Sequence, residues 1–360
     1  MINPRILVIN PGSTSTKLAY FAGGEQVFHE ELEHPAGALA AFPDIPSQEG
    51  YRYTAVERFL WKNGLSFRDV DAVAARGGLM KPVAGGVYRV NARMVEDLRG
   101  SKSRWGREHA SNLGAMLALR IAEEQGVPAF TADPVTVDEM EDVARISGVP
   151  EITRKSHLHA LNVKAAARRA ARDRCADTED ENYVVAHMGG GITVAAVRGG
   201  RIIDVNNALL GMGPFSPQRA GALPVGDLVE LCFSGMYDKE PLLSRLVKNS
   251  GMTGYLGTDD VREAERRIAG GDAHAALVMD AMAYQVAKEI AAMAAALHGM
   301  VDAVVLTGGV SHSVRFVKDV RARAGFVAEV LVYPGGFEME ALAEYAAAAL
   351  TGKEAVLEYE

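Results

Sequence analysis

Three short stretches of this chain set hydrogen-bond donors beside glycine where apolar runs end. Residues 10–17, Asn-Pro-Gly-Ser-Thr-Ser-Thr-Lys, gather hydroxyls, backbone N–H groups and one cation in a turn between two apolar segments. Residues 187–191, His-Met-Gly-Gly-Gly, place three consecutive glycines (Gly189, Gly190 and Gly191) between segments apolar enough to be fully buried. Thr307-Gly308-Gly309 closes a third apolar run. Turns of Gly, Ser and Thr leave N–H groups and hydroxyls unblocked, and such groups converge on phosphates. Glycine in a buried run costs chain entropy, so its presence points to close backbone approach. The first turn alone reads equally well as an ordinary hairpin loop.

The elements that carry these turns follow from the patterning. Residues 5–21 and 183–197 share one plan: apolar strand, turn, apolar strand. Two copies suggest two facing domains with a nucleotide between them. Apolar residues 70–75 deliver Arg76-Gly77-Gly78, and residues 127–131 deliver Asp133, each at the end of a buried strand, a common site geometry. Residues 54–63, 111–124, 157–173 and 339–350 read as helices, with Lys164, Arg168, Arg169 and Arg172 forming a solvated basic face. Met279, Met282, Val286, Ile290, Met293 and Leu297 recur at spacings of three and four, a core stripe on a helix capped by Asp272 and ended by Gly299. Strands alternating with helices make an α/β protein with ligands at strand ends. The acidic stretch 175–182 is the best candidate linker. The expected domains are therefore 1–178, recrossed by a C-terminal helix within 337–360, and 179–336.

A chain of 360 residues exceeds a comfortable single core, which supports two domains. The formal net charge of -8, from 38 Lys and Arg against 46 Asp and Glu, disfavours nucleic acid. Cys175 and Cys232 fit no metal spacing and read as reduced cytosolic thiols. No signal segment or membrane span is expected: polar residues interrupt the most apolar stretch, 273–300.

Two phosphate-type turns followed by a strand-Gly-Gly resemble the sugar kinase, actin and heat-shock ATPase superfamily. The segments NPGSTSTK, RGGLMKPV, EHASNLGA, HMGGGIT, GPFSPQRAGALPVGDLVEL, LTGGVSHS and YPGGFEMEAL narrow the likeness. Across essentially its whole length the chain resembles the butyrate kinases of the acetate kinase family.

That resemblance implies two ribonuclease H-like (actin-like ATPase) domains with a central cleft. It also implies reversible phosphoryl transfer from ATP to a short carboxylic acid, here butanoate or a branched relative, giving an acyl phosphate and ADP. A carboxylate is already ionised at neutral pH, so no general base is needed; catalysis is positioning and charge neutralisation. His109 and His159 match the family's two active-site histidines, and His159 is the better match to the phosphoryl contact. His187 matches a histidine near the nucleotide phosphates. Ser13, Ser15 and Lys17 in the first turn, Gly189 to Gly191, and Gly308 and Gly309 are the nucleotide-binding candidates, and Asn10 joins the catalytic set. Asp133 and Glu338 match acids that govern Mg²⁺, with Glu340 competing for the second place. Leu158 and Pro217 match positions near the acyl pocket.

The arginines depart from the family pattern. Acetate kinases carry one arginine where this chain has Val73, a histidine at the place of Arg76, and a second arginine near Pro224. Arg76 and Arg219 are the nearest replacements, and their forked guanidinium suits carboxylate or phosphate. Acetate, propionate and butanoate are not separable by motif, and an actin-type or heat-shock-type ATPase without an acid substrate is the alternative. A homodimer or higher homo-oligomer is expected.

Overall fold

A computed structural model describes residues 3–105 and 108–360. In chain order its strands are β1 (Arg5–Pro11), β2 (Ser15–Ala22), β3 (Glu25–Glu33), β4 (Ala72–Ala75), β5 (Val87–Arg89), β6 (Ala129–Ala132), β7 (Asn182–Met188), β8 (Ile192–Arg198), β9 (Arg201–Val205), β10 (Ala303–Gly308), β11 (Val330–Pro334) and β12 (Val356–Leu357). The chain divides into two compact units, Met1–Val137 with Phe337–Glu360 (unit 1) and Asp138–Gly336 (unit 2).

Unit 1 holds a seven-stranded sheet in the order β12-β5-β6-β4-β1-β2-β3. β1 and β2 pair antiparallel with Asn10 opposite Lys17, and β4 runs parallel to β1. Leu7 and Ile9 join Val56, Phe59, Leu113 and Leu117 in one core under helices Glu49–Lys62 and Asn112–Gln125. Strand periodicity turns Ile6 and Val8 to the other face, and helix Glu338–Leu350 also packs on β1, β4 and β6.

Unit 2 holds a five-stranded sheet in the order β11-β10-β7-β8-β9. Its plan repeats that of unit 1: a three-strand antiparallel meander, then two strands parallel to the first, β4 and β6 in unit 1, β10 and β11 in unit 2. Helix Ala273–Ala296 lays its methionine stripe on Val184, Ala186, Val194 and Ala196. Asp272 caps the helix by accepting from the N–H of Ala275 at 2.9 Å, and Gly299 follows it at φ 75°.

The boundary expected at 178/179 lies inside unit 2. Helix Ala160–Asp173 packs on β7 and β10, and Glu141 N–H donates to Ile203 O at 2.9 Å, so the chain joins this unit well before the acidic stretch. Lys164, expected in solvent, is buried and donates to Glu139 at 2.8 Å, and the Arg169 guanidinium lies 4.8 Å over the Tyr333 ring. Among the described residues no helix is long and apolar enough to cross a membrane.

Candidate active site

In unit 2, the pairing of Met188 with Ile192 and of His187 with Thr193 leaves Gly189 to Gly191 as the turn. The turn is braced from below by the loop after β9, where Ser216 Oγ and Gln218 N–H donate to Gly190 O at 2.6 and 3.2 Å. A Cβ on Gly191 would lie 2.6 Å from Arg219 Cζ, so glycine is what admits the guanidinium. Arg219 donates to Ala208 O, has no ion-pair partner among the described residues, and its Nε lacks a hydrogen-bond acceptor. Burial pushes its pKa below the ordinary arginine value. A half-buried cation without a counter-ion beside a glycine turn has the chemistry to receive an anion.

His159 and His187 belong to the same cluster. His159 precedes helix Ala160–Asp173, its Nδ1 lies 2.8 Å from Thr193 Oγ1, and its ring centroid is 4.7 Å from that of His187. Thr193 is fully buried and opposite His187, and its hydroxyl holds the imidazole of His159. Gly308, at φ 91°, ends β10 against the backbone of Met188, and exposed Gly309 opens the turn that follows. Leu158 is buried, and Pro217 O accepts from Thr253 Oγ1 at 2.8 Å.

In unit 1, Asn10 is buried at the end of β1, and Ser13 is exposed at the tip of the turn. Ser15 Oγ donates to Glu31 at 2.8 Å, and Lys17 lies 3.8 Å from the same carboxylate. Both side chains are thus turned onto β3 rather than over the tip. Arg76 continues β4 through its N–H, donated to Ile9 O at 3.0 Å, and has no ion-pair partner among the described residues. Gly77 and Gly78 are packed by Pro134, Thr131 and Asn112, so here the close approach is made by the protein itself. His109 Nδ1 accepts the N–H of Ser111 at 3.2 Å and lies 2.7 Å from Ser111 Oγ. An amide can only donate, so Nδ1 carries the lone pair and Nε2 carries the proton.

Asp133 stands past the end of β6 with φ 39°, a left-handed backbone that Asp tolerates better than most side chains. Its carboxylate accepts from Gly86 N–H at 2.9 Å and from the phenol of Tyr345. Glu338 is half-buried in the first turn of helix Glu338–Leu350, whereas Glu340 is exposed. Among the described residues no group of three or more His, Cys, Asp or Glu forms a metal cage.

The sequence reading missed Thr193, Asn206, Arg52 and Tyr345. Asn206 is fully buried and pins the loop after β9 by accepting from Val194 N–H at 2.6 Å and donating to Ile192 O at 3.0 Å. Arg52 had a legible signal, since with Val56 and Phe59 it occupies the apolar stripe of its helix.

Residues 151–359 match the acetokinase family. A protein named probable butyrate kinase 2, from Caldanaerobacter subterraneus subsp. tengcongensis, is 48% identical over 350 residues, covering 97% of this chain and 98% of the relative. Among solved structures, an acetate kinase from Porphyromonas gingivalis superposes with TM-score 0.77 at 20% identity, covering 96% of this chain and 99% of that one. A propionate kinase from Francisella tularensis subsp. tularensis SCHU S4 gives TM-score 0.76 at 18% identity, with 95% and 98% covered. These two likenesses establish the actin-like ATPase fold that the repeated sheet plan already described. With a near-full-length relative at 48% identity and the family match over residues 151–359, the chain belongs to the acetokinase, or acetate kinase, family.

Proposed function

We propose that this enzyme catalyses reversible transfer of the γ-phosphoryl group of ATP to butanoate, or to a branched short-chain acid, giving an acyl phosphate and ADP. The observation that carries this reading is Arg219, half-buried against Gly191 without an ion-pair partner among the described residues, on the glycine turn that follows His187, whose ring lies against that of His159. Such a site suits a polyanion, and a butyrate kinase name on a 48% identical relative supplies the acceptor.

The roles follow from the chemistry. The acid is ionised before it binds, so the protein's task is to neutralise charge and align an anionic nucleophile with phosphorus. His159, oriented by Thr193, is the residue assigned to the transferring phosphoryl oxygens, and His109 has an Nε2–H to give to an anion. Arg219 and Gly189 to Gly191 hold nucleotide phosphates, with Gly308 and Gly309 flanking the nucleoside. Arg76 and Asn10 attend the acid and the phosphoryl group. Asp133, which accepts from Gly86 N–H and from the Tyr345 phenol, and Glu338 are the oxygen donors that would hold Mg²⁺, directly or through water, where it would neutralise phosphate charge.

A cytoplasmic location and a homo-oligomer complete the proposal. Both cysteines are unpaired and exposed, as in a reducing compartment. Helix Val225–Phe233 leaves Val225, Val229 and Phe233 exposed, an apolar face suited to a second copy. The decisive experiment incubates the protein with Mg·ATP and straight or branched acids, trapping acyl phosphate as hydroxamate. Hydroxamate with butanoate or isobutanoate at the highest rate is expected. Its absence with every acid would sink the reading, and a maximum at acetate would remove the chain-length assignment.

A further inference from the structure

Beneath the turn between β1 and β2 lies an arginine that pairs with no carboxylate among the described residues. Arg52, on helix Glu49–Lys62, is 0% exposed. Its Nη1 donates to Ser15 O at 2.7 Å and to Thr16 Oγ1 at 2.8 Å, and its Nη2 donates to Ser13 O at 3.4 Å and Gln48 Oε1 at 3.1 Å. Among the described residues it has no ion-pair partner, and burial lowers its pKa.

The neighbouring hydrogen bonds are equally one-sided. Thr14 O accepts from His34 N–H at 2.7 Å, and Ser15 O also accepts from Gly12 N–H at 2.8 Å. The carbonyls of Ser13, Thr14 and Ser15 are therefore all occupied by donors from the protein. The N–H groups of Ser13 and Thr14 meet no acceptor among the described residues. Because a trans peptide sets N–H opposite C=O, tying Ser13 O to Arg52 directs the N–H of Thr14 away from the guanidinium. With these three carbonyls turned inward, the backbone groups that Ser13 and Thr14 leave open are N–H donors, above a buried positive charge. A guanidinium buried without a counter-ion is disfavoured in the free protein, and an anion bound above it offsets that cost.

We propose that Arg52 is a positioning residue for phosphoryl transfer: it holds the carbonyls of Ser13 and Ser15 inward and charges the turn from below, so that a phosphoryl group meets the N–H donors of Ser13 and Thr14. This rests on the carboxylate kinase reading above. The distinction from a merely structural role lies in which substrate is affected. A phosphoryl group depends on the turn, whereas the carboxylic acid carries no phosphoryl oxygens.

The experiment compares Arg52→Met and Arg52→Lys with the parent enzyme in both reaction directions. Arg52→Met is expected to lower kcat/KM for the acyl phosphate at least tenfold while the KM for butanoate stays within about twofold; Lys, which keeps the charge and loses the fork, falls between. An Arg52→Met protein with parental kcat/KM, or with both substrates weakened equally, overturns the proposal. Should that variant fail to fold, Thr16→Val removes one acceptor of Arg52 in an isosteric side chain. It is expected to show the same selective loss, about threefold, and parental kinetics would overturn the proposal. An inactive parent enzyme would instead defeat the kinase reading and is distinguishable on that ground.

Discussion

Thr193 holds His159 at two points: its hydroxyl lies 2.8 Å from Nδ1 and also accepts the His159 N–H at 3.3 Å. One side chain therefore fixes both the ring and the entry of helix Ala160–Asp173. His159→Ala is expected to lower kcat by about 10²- to 10³-fold, the usual loss for one positioned transition-state group, with little change in ATP binding. Thr193→Val, which keeps the shape and removes this hydrogen bond, should lower kcat by about tenfold. Steady-state kinetics with ATP titrated separately checks both. Equal losses in kcat and ATP affinity would argue against a role in the transition state.

Gly191 offers a test of Arg219 that leaves the arginine in place. Its φ lies outside the left-handed region, so alanine fits the backbone, but the added Cβ would sit 2.6 Å from Arg219 Cζ. The guanidinium is the end of a flexible side chain, so it moves rather than the sheet. Gly191→Ala is expected to raise the KM for ATP about tenfold or more while thermal stability changes little. Unchanged nucleotide affinity would show that Arg219 does not serve the phosphates.

The features legible in the sequence are those written in short-range patterns. The two hairpins announce themselves through apolar runs broken by Gly and hydroxyl residues, and the methionine stripe with its Asp272 cap fixes helix Ala273–Ala296. β5 and β12, of 3 and 2 residues, are too short to show a period. The unit boundary is not legible because acidity marks residues 175–182, whereas the docking of helix Ala160–Asp173 on β7 decides membership. Local pattern points Ser15 and Lys17 at a phosphate. They share a face by strand periodicity, and the β2–β3 register, Lys17 opposite Glu31, gives both to Glu31. Thr193 and Asn206 act through partners far along the chain, which no local pattern reveals.

Tyr345 ties the last helix to the proposed magnesium acid. Its phenol donates to Asp133, whose left-handed backbone needs such support. Tyr345→Phe removes one donor to a charged acceptor, worth about 1.5 to 3 kcal/mol where buried. Melting of the variant should report a loss of that order. If Asp133 governs Mg²⁺, the concentration of Mg²⁺ giving half-maximal rate should also rise. A stability loss with an unchanged Mg²⁺ profile would leave Asp133 as a structural residue only.

His34 makes the phosphate-type turn of unit 1 sensitive to acid. It is buried, its Nε2 lies 2.8 Å from Thr16 Oγ1, and burial together with the adjacent Arg52 charge lowers its pKa to about 4. The unfolded chain takes up this proton near pH ~6.5. Between those values the unfolded state binds more protons than the folded one, so stability falls as pH drops from ~6.5 towards 4. The full shift corresponds to roughly 3 kcal/mol. His34→Gln keeps a donor and an acceptor for Thr16 and cannot titrate. Urea unfolding at about pH 7 and about pH 5 should therefore show a smaller acid-induced loss in the variant than in the parent protein. Identical losses would mean that His34 is already protonated in the folded state, and that Arg52 and His34 do not share the buried environment the structure gives them.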